Sequence, residues 1–376
     1  MTLFEPVALR GITLRNRLVV APMCQYSARN GYVDDHHLIH LGRFAMGGFG
    51  LVFVEATAVV PEGRITHGDL GIWTDNQIPG LARIASALKM YGAVAGIQIA
   101  HAGPRAATQR PWEGNGALID VDFQRGEEPW QVVSASDKPY ADGWLKPTAL
   151  TREAMAEVKD AFVNAARRAN AAGFDVVEVH CAHGFLLNGF LSPVTNDRTD
   201  EFGGDLEGRM RFPLEVMEAV RAAWPEDKPL FVRVSAVDGF REGMSIEDTV
   251  VFARHLKELG VDIVDCSSGG IAPRYEYPLS YGYQVSYAQK VRSEAGVGTA
   301  AVGLIVNGQQ AQAIVANDQA DLVAIGREAL VDPNFPLQAE AQLGAADPQN
   351  LFGSWPTQVT WWLQRRARQI KQMQTF

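Results

Sequence analysis

Eight short apolar runs, rich in Val, Ile, Leu and Ala, recur along the chain. They are 17–23 (RLVVAPM), 51–59 (LVFVEATAV), 94–101 (VAGIQIAH), 175–183 (DVVEVHCAH), 230–236 (LFVRVSA), 262–269 (DIVDCSSG), 299–305 (TAAVGLI) and 322–328 (LVAIGRE). Apolar residues follow one another almost without alternation, the pattern of parallel strands buried on both faces. Between the runs lie amphipathic segments. The clearest is 151–172, where Met155, Val158, Phe162, Ala165 and Ala166 keep helical spacing between a Thr151 N-cap and Gly173. A second, 245–259, opens on Ser245 and closes before Gly260. Eight strand–helix units in about 310 residues predict an α/β fold, a single (β/α)8 barrel occupying 1–376. A doubly wound sheet is the alternative, but no G-x-G-x-x-G follows the first strand.

Three segments fall outside these units. Residues 2–16 read as a hairpin closing the bottom of the barrel. Residues 104–149, rich in Gly, Pro, Asp and Trp, form a long loop after the third strand, where barrel enzymes place lids and substrate walls. Residues 350–376 carry Trp355, Trp361 and Trp362 followed by RRARQIKQ, and read as a packed terminal helix with a solvated basic face.

Composition narrows the setting. Of 376 residues, 47% are hydrophobic and 20% charged, an ordinary globular balance. A formal net charge of −9 argues against nucleic-acid or anionic-membrane partners. The N-terminal stretch lacks a basic region followed by a long apolar run, no segment approaches the ~20 apolar residues of a membrane span, and the three cysteines are too scattered for a disulfide framework. The expectation is a soluble, reduced, cytoplasmic protein.

In such barrels the chemistry gathers at the C-terminal ends of the strands. Those ends supply Cys24 and Tyr26, Glu55 and Ala56, Gln98 and His101, His180 and His183, Arg233, and the CSSGG of 266–270. Gly303, Gly326 and Arg327 end the last two strands, where bare backbone and a positive charge suit a phosphate. His180 and His183 sit in HCAHGF (180–185). Three residues apart on a regular strand they face opposite ways, and no third ligand stands nearby, so no metal site is expected. They read either as structural histidines or, if the chain leaves the strand after His180, as paired donors to an anionic oxygen. Arg233 reads as an anion-binding group or as the partner of Glu55 or Asp265. Gln98 could be a satisfied buried amide, and Cys24 a small core residue.

Taken together, the stretches 3–27, 54–73 (VEATAVVPEGRITHGDLGIW), 96–103 (GIQIAHAG), 174–212, 231–236, 301–305 and 321–328 resemble the old yellow enzyme family of FMN-dependent oxidoreductases over nearly the whole chain. RPWEG (110–114) points to the branch of xenobiotic reductase A and the thermophilic-like ene-reductases. The resemblance implies FMN across the barrel mouth, with Pro22, Met23, Ala56, Gln98 and Arg233 on the isoalloxazine and Gly303, Gly326 and Arg327 on the phosphate. It implies Cys24 and Tyr26 beside the flavin, and His180 and His183 holding the acceptor's oxygen. It further implies NADPH or NADH as reductant in a ping-pong cycle, with small enones, quinones or nitro compounds as acceptors. A flavin-dependent isomerase or a dehydrogenating (aromatising) enzyme using the same histidines is the alternative. A barrel binding a phosphorylated metabolite without flavin is the third reading. Three departures stand out. Phe185 occupies the place of the family's proton-donating tyrosine, Pro104 intervenes before Arg105, and Val302 or a neighbour replaces a tryptophan of xenobiotic reductase A. The resemblance also implies a homodimer or homotetramer in which Trp361, Trp362, Arg365 or Arg366 approaches a neighbouring subunit's site.

Overall fold

In the computed structural model, which describes residues 1–373, the apolar runs become the staves of a closed barrel. A hairpin of β1 (Val7–Leu9) and β2 (Ile12–Leu14) precedes it. The staves are β3 (Leu18–Val20), β4 (Leu51–Ala58), β5 (Val94–Ala100), β8 (Val176–Cys181), β9 (Leu230–Ser235), β10 (Ile263–Ser267), β11 (Gly298–Ala301) and β12 (Leu322–Ile325). Each pairs in parallel with the next, and β12 closes on β3. The short β6 (Val133–Ser134) and β7 (Thr148–Ala149) pair apart from the barrel. The helices are α1 (Asp35–Met46), α2 (Ile78–Met90), α3 (Asp120–Gln124), α4 (Arg152–Ala171), α5 (Leu186–Leu191), α6 (Leu206–Ala223), α7 (Ile246–Glu258) and α8 (Val285–Ala295). They continue with α9 (Gly308–Ala316), α10 (Arg327–Val331), α11 (Phe335–Gln342) and α12 (Thr357–Met373).

Every expected strand forms, and most stop short of their apolar run. β3 ends at Val20 because Pro22 has no amide hydrogen for a ladder. β11 ends at Ala301, two residues before Gly303 turns at φ +113°. The residues released from the ladder are the ones that reach the mouth. The caps read from sequence are also present. Thr151 accepts from Ala154 N at 3.2 Å to start α4, and Ser245 with Asp248 forms a capping box on α7. Each such cap stabilises its helix by about 1 kcal/mol.

The hairpin plugs the barrel floor. Leu14, Val19, Leu51, Phe53 and Phe231 form a buried inner cluster, and Val7, Leu9 and Ile12 pack beneath it. Phe53 and Phe231 meet with ring centroids 5.7 Å apart. Gly96 makes room for them, since a Cβ there would lie 2.6 Å from the Phe53 ring.

The long segment after β5 folds over the mouth. Gln109 Nε2 donates to Asp122 at 2.8 Å, and Arg110 bridges Glu127 at 2.6 Å and Glu113 at 3.2 Å.

The terminal segment departs from expectation. It is helical, as α12, but no residue of that helix is buried, so it is not packed on its own barrel. Trp361 and Trp362 are 53% and 65% exposed, touching each other edge to face at 4.5 Å. Thr360 Oγ1 donates to Phe352 O and Gln364 Nε2 to Asn350 Oδ1, which ties the helix to 350–355. The last three residues of the tail lie outside the described residues. No helix among the described residues is long and apolar enough to cross a membrane.

Candidate functional site

Two cavities of about 250 Å³ each open at the C-terminal mouth, and Pro22 and Arg233 belong to the walls of both. The first is lined by Met23, Gly303, Gly326 and Arg327 among others. The second is lined by Cys24, Tyr26, Ala56, Gln98, His180, His183 and Phe185, together with residues of the long segment. The residues that the resemblance assigns to flavin, phosphate and acceptor therefore line these two adjoining cavities, whereas Glu55 and His101 line neither. His101 is buried at the end of β5, its Nδ1 accepting from Gly103 N at 3.0 Å.

The histidines share a cavity because the chain breaks the strand's alternation. β8 ends at Cys181, and His183 then adopts φ +58° with Gly184 at φ +74°. A left-handed residue other than glycine costs about 1–2 kcal/mol, and the surroundings hold it. His183 N donates to Ser235 Oγ at 2.9 Å, and Arg105 Nη1 donates to His183 O at 2.8 Å. Ser235 Oγ donates in turn to Gly269 O at 2.7 Å. The imidazole centroids lie 5.3 Å apart with the rings nearly perpendicular. Cys181, between them, is buried in the core outside the barrel wall.

One nitrogen of each imidazole is committed. Ala182 N donates to His180 Nδ1 at 3.2 Å. His183 Nε2 lies 2.7 Å from Ser267 Oγ, which also accepts from Gln284 Nε2 at 3.3 Å. Burial holds both rings well below the usual histidine range. The charges of Arg233 and Arg105 lower both further, as does the neighbouring His183 for His180. Both are neutral at pH 7. Phe185 stacks on His180 at 4.3 Å, with the planes 22° apart.

Arg233 is answered from below. Its Nε lies 3.3 Å from Asp265 Oδ2 without a well-formed hydrogen bond. Gln98 Nε2 donates to Glu178 Oε1 at 2.8 Å. Burial, and then the negative charge of Asp265, raises the Glu178 carboxyl above its ordinary range. Glu55 is not Arg233's partner. It accepts from Gln25 N at 3.0 Å, and its other oxygen lies 4.0 Å from His37 Nε2, whose Nδ1 meets Asp34 at 2.8 Å. Burial pushes Glu55 up to about 8. Burial also pushes the Cys24 thiol up, with Asp69 and Glu55 adding to it, so Cys24 stays protonated.

Ser267, Gln284, Arg105 and Trp144 were not singled out as site residues by the sequence. Ser267 had a signal in the hydroxyl pair of CSSGG at a strand end. Gln284, just before α8, and Trp144, in the long segment, had none.

A model of the family described as NADH:flavin oxidoreductase / NADH oxidase matches residues 2–345. The chain is 45% identical over 346 residues to an NADPH dehydrogenase of Bacillus cytotoxicus, covering 91% of this chain and 93% of that one. It is 44% identical to an NADPH dehydrogenase of Geobacillus thermodenitrificans, covering 91% and 94%. Among solved structures, morphinone reductase superposes with a TM-score of 0.75 at 26% identity, over 93% of this chain and 92% of that one. A 2-naphthoyl-CoA reductase complex superposes with a TM-score of 0.80 at 23% identity, a likeness of fold. The chain covers 53%, about half, of its length.

Proposed function

Because the chain belongs to the NADH:flavin oxidoreductase / NADH oxidase family, the old yellow enzyme family of FMN-dependent NAD(P)H oxidoreductases, we propose that FMN lies across both cavities and that small activated alkenes, quinones or nitro compounds are reduced in the histidine-lined one. The residues fit that cofactor. A Cβ on Gly303 would lie 2.6 Å from Gln284 Oε1, so the wall there must stay bare backbone, as close approach to a phosphate needs. Gly326 and exposed Arg327 complete that end. Where the cavities meet, Arg233 lines both walls with its Nε turned to Asp265, and a cation there suits the electron-rich edge of a flavin. Gln98 would stand beside it, with Pro22, Met23 and Ala56 as flat or apolar walls. When bound, FMN would supply the hydride chemistry, taking reducing equivalents from NAD(P)H and passing them to an acceptor that enters the same cavity in turn.

His180 and His183 act on the acceptor's oxygen. The amide of Ala182 occupies His180 Nδ1, so that ring's proton is on Nε2. Ser267 Oγ accepts a hydrogen bond from Gln284 Nε2, and with its own O–H donated to His183 Nε2 that ring's proton sits on Nδ1. Each neutral ring then offers one N–H to the same oxygen and stabilises the negative charge it gains as the β-carbon is reduced. Phe185 holds the plane of His180 but has no proton to give. The α-carbon is protonated by water or by the Tyr26 hydroxyl, a weak acid because burial raises its pKa.

The observation that carries this reading is the pair of neutral imidazoles, each with one uncommitted nitrogen, in one cavity beside Arg233. Anaerobic NADPH or NADH is expected to bleach the flavin absorbance of the purified holoenzyme, and an enone or quinone to restore it. His180→Ala, with FMN content retained, is expected to slow the restoring step by about 10²–10³-fold. Bleaching that no acceptor reverses would instead indicate a dehydrogenating or isomerising enzyme.

A further inference from the structure

The histidine-lined cavity holds a cation that no carboxylate answers. Arg105, carried by the long segment after β5, is part of its wall. Its Nη1 is spent on His183 O, and its guanidinium carbon lies 4.6 Å above the centre of the Tyr140 ring. Buried Nε has no hydrogen-bond partner. Among the described residues no Asp or Glu forms an ion pair with Arg105, whereas the cavity's other cation, Arg233, has Asp265 at 3.3 Å. The cavity wall itself contains no acidic side chain. A half-buried guanidinium without a counter-charge is costly, and an anionic ligand would offset that cost. The apolar faces of Trp144, Ile65 and Phe185 enclose the rest of the space, which suits a substituted ring lying against them.

We propose that Arg105 forms an anion subsite beside the histidine pair, so that the enzyme prefers acceptors bearing a carboxylate in addition to the oxygen held by His180 and His183. Ring-sized enone carboxylates and nitrobenzoates are the class that fits. The proposal rests on the reading of the histidines given above. A carboxylate would take the guanidinium N–H groups that have no protein acceptor, and Arg105 would keep its bond to His183 O through Nη1. Pro104 has a part in this, because it sits in the short turn Gly103–Arg105 that aims the arginine at the cavity.

The test compares 4-nitrobenzoate with its neutral isostere 4-nitrobenzamide on the holoenzyme, by calorimetric titration and by reoxidation of the NADPH-reduced flavin. The wild-type protein is expected to bind the carboxylate about tenfold or more tightly than the amide, a preference that shrinks with added salt. Arg105→Gln should collapse that ratio towards one, and Arg105→Lys should keep part of it, with FMN content and melting temperature checking the fold of both. Equal binding of the two ligands by the wild-type protein, or a ratio that survives in Arg105→Gln, overturns the subsite. A rise in KM for NADPH in Arg105→Gln with the nitrobenzoate ratio intact also overturns it, and assigns the arginine to the reductant's phosphates. If the titration shows the preference but neither compound reoxidises the flavin, the subsite stands and the proposed reaction fails.

Discussion

On the proposed reading, Phe185 stands where the family resemblance implies a proton-donating tyrosine. Phe185 stacks on His180 as a tyrosine ring would, and 6% of its surface is exposed towards the cavity. It therefore retains the orienting contact and omits the acid. A positioned general acid commonly contributes about 10²–10⁴-fold, and only acceptors that must be protonated at carbon use it. Phe185→Tyr is expected to raise kcat/KM for an enone by tenfold or more and to leave quinone reduction nearly unchanged, as read by stopped-flow reoxidation of the reduced flavin. Equal acceleration of both acceptors would mean that the ring's packing, and not a proton, is what changed. The strained φ of His183 belongs to this scale too. It turns two residues that a strand would point apart into a pair, and Ser235 and Arg105 hold the turn.

At the scale of elements, the loop from β3 to α1 carries Cys24 and Tyr26, and β4 and α1 grip it from behind through Glu55 and His37. Glu55 holds Gln25 N, faces His37 at 4.0 Å, and feels the negative charges of Asp69 and Asp34. Its carboxyl titrates near 8 in the fold against 4.5 for an ordinary glutamate. Between those values the folded chain holds a proton that the unfolded chain has lost. The contribution to stability is thus fully present below pH 4.5 and is lost as pH rises through about 8. Asp69, raised to about 6, acts in the same direction. The depressed histidines act oppositely, so stability also falls as pH drops below about 6.5. Glu55→Gln keeps an acceptor oxygen for Gln25 N and removes the charge. Its melting temperature is expected to fall less than that of the wild-type protein between pH 6 and pH 9. Parallel losses in the two proteins would show that Glu55 is already ionised at pH 6.

For the whole molecule, the feature left open by the barrel is α12. A helix with no buried residue and two exposed tryptophans gains little from its own chain, and its apolar face needs a covering surface. We expect the full chain to sediment as a homodimer or larger assembly, and a chain ending at Asn350 to sediment as a smaller species. Identical sedimentation of the two would place the subunit contact elsewhere.

The eight staves, the caps at Thr151 and Ser245, the floor hairpin and the glycines of the mouth were legible in the sequence. Each is a local consequence of apolar runs, hydroxyl caps or missing side chains, and a parallel barrel turns strand ends into a common rim. That is why Cys24, Gln98, His180, Arg233, Gly303 and Arg327 could be assigned to one cleft from their positions alone. Partnerships across strands were not legible. Arg233 had two candidate acids, and only the register of β9 against β10 put it beside Asp265 and left Glu55 to His37. Ser267 and Gln284, which meet beside His183, come together from either side of a stretch of sequence that carries no periodic signal. Arg105 counted in the sequence only as a displaced residue, and became a cavity wall once the long segment folded back. Hydrophobic pattern determines which residues reach the rim, because burial acts on each position by itself. Which charges meet there, and which one is left without a counter-ion, depends on distances between segments tens of residues apart, and only the tertiary structure decides those.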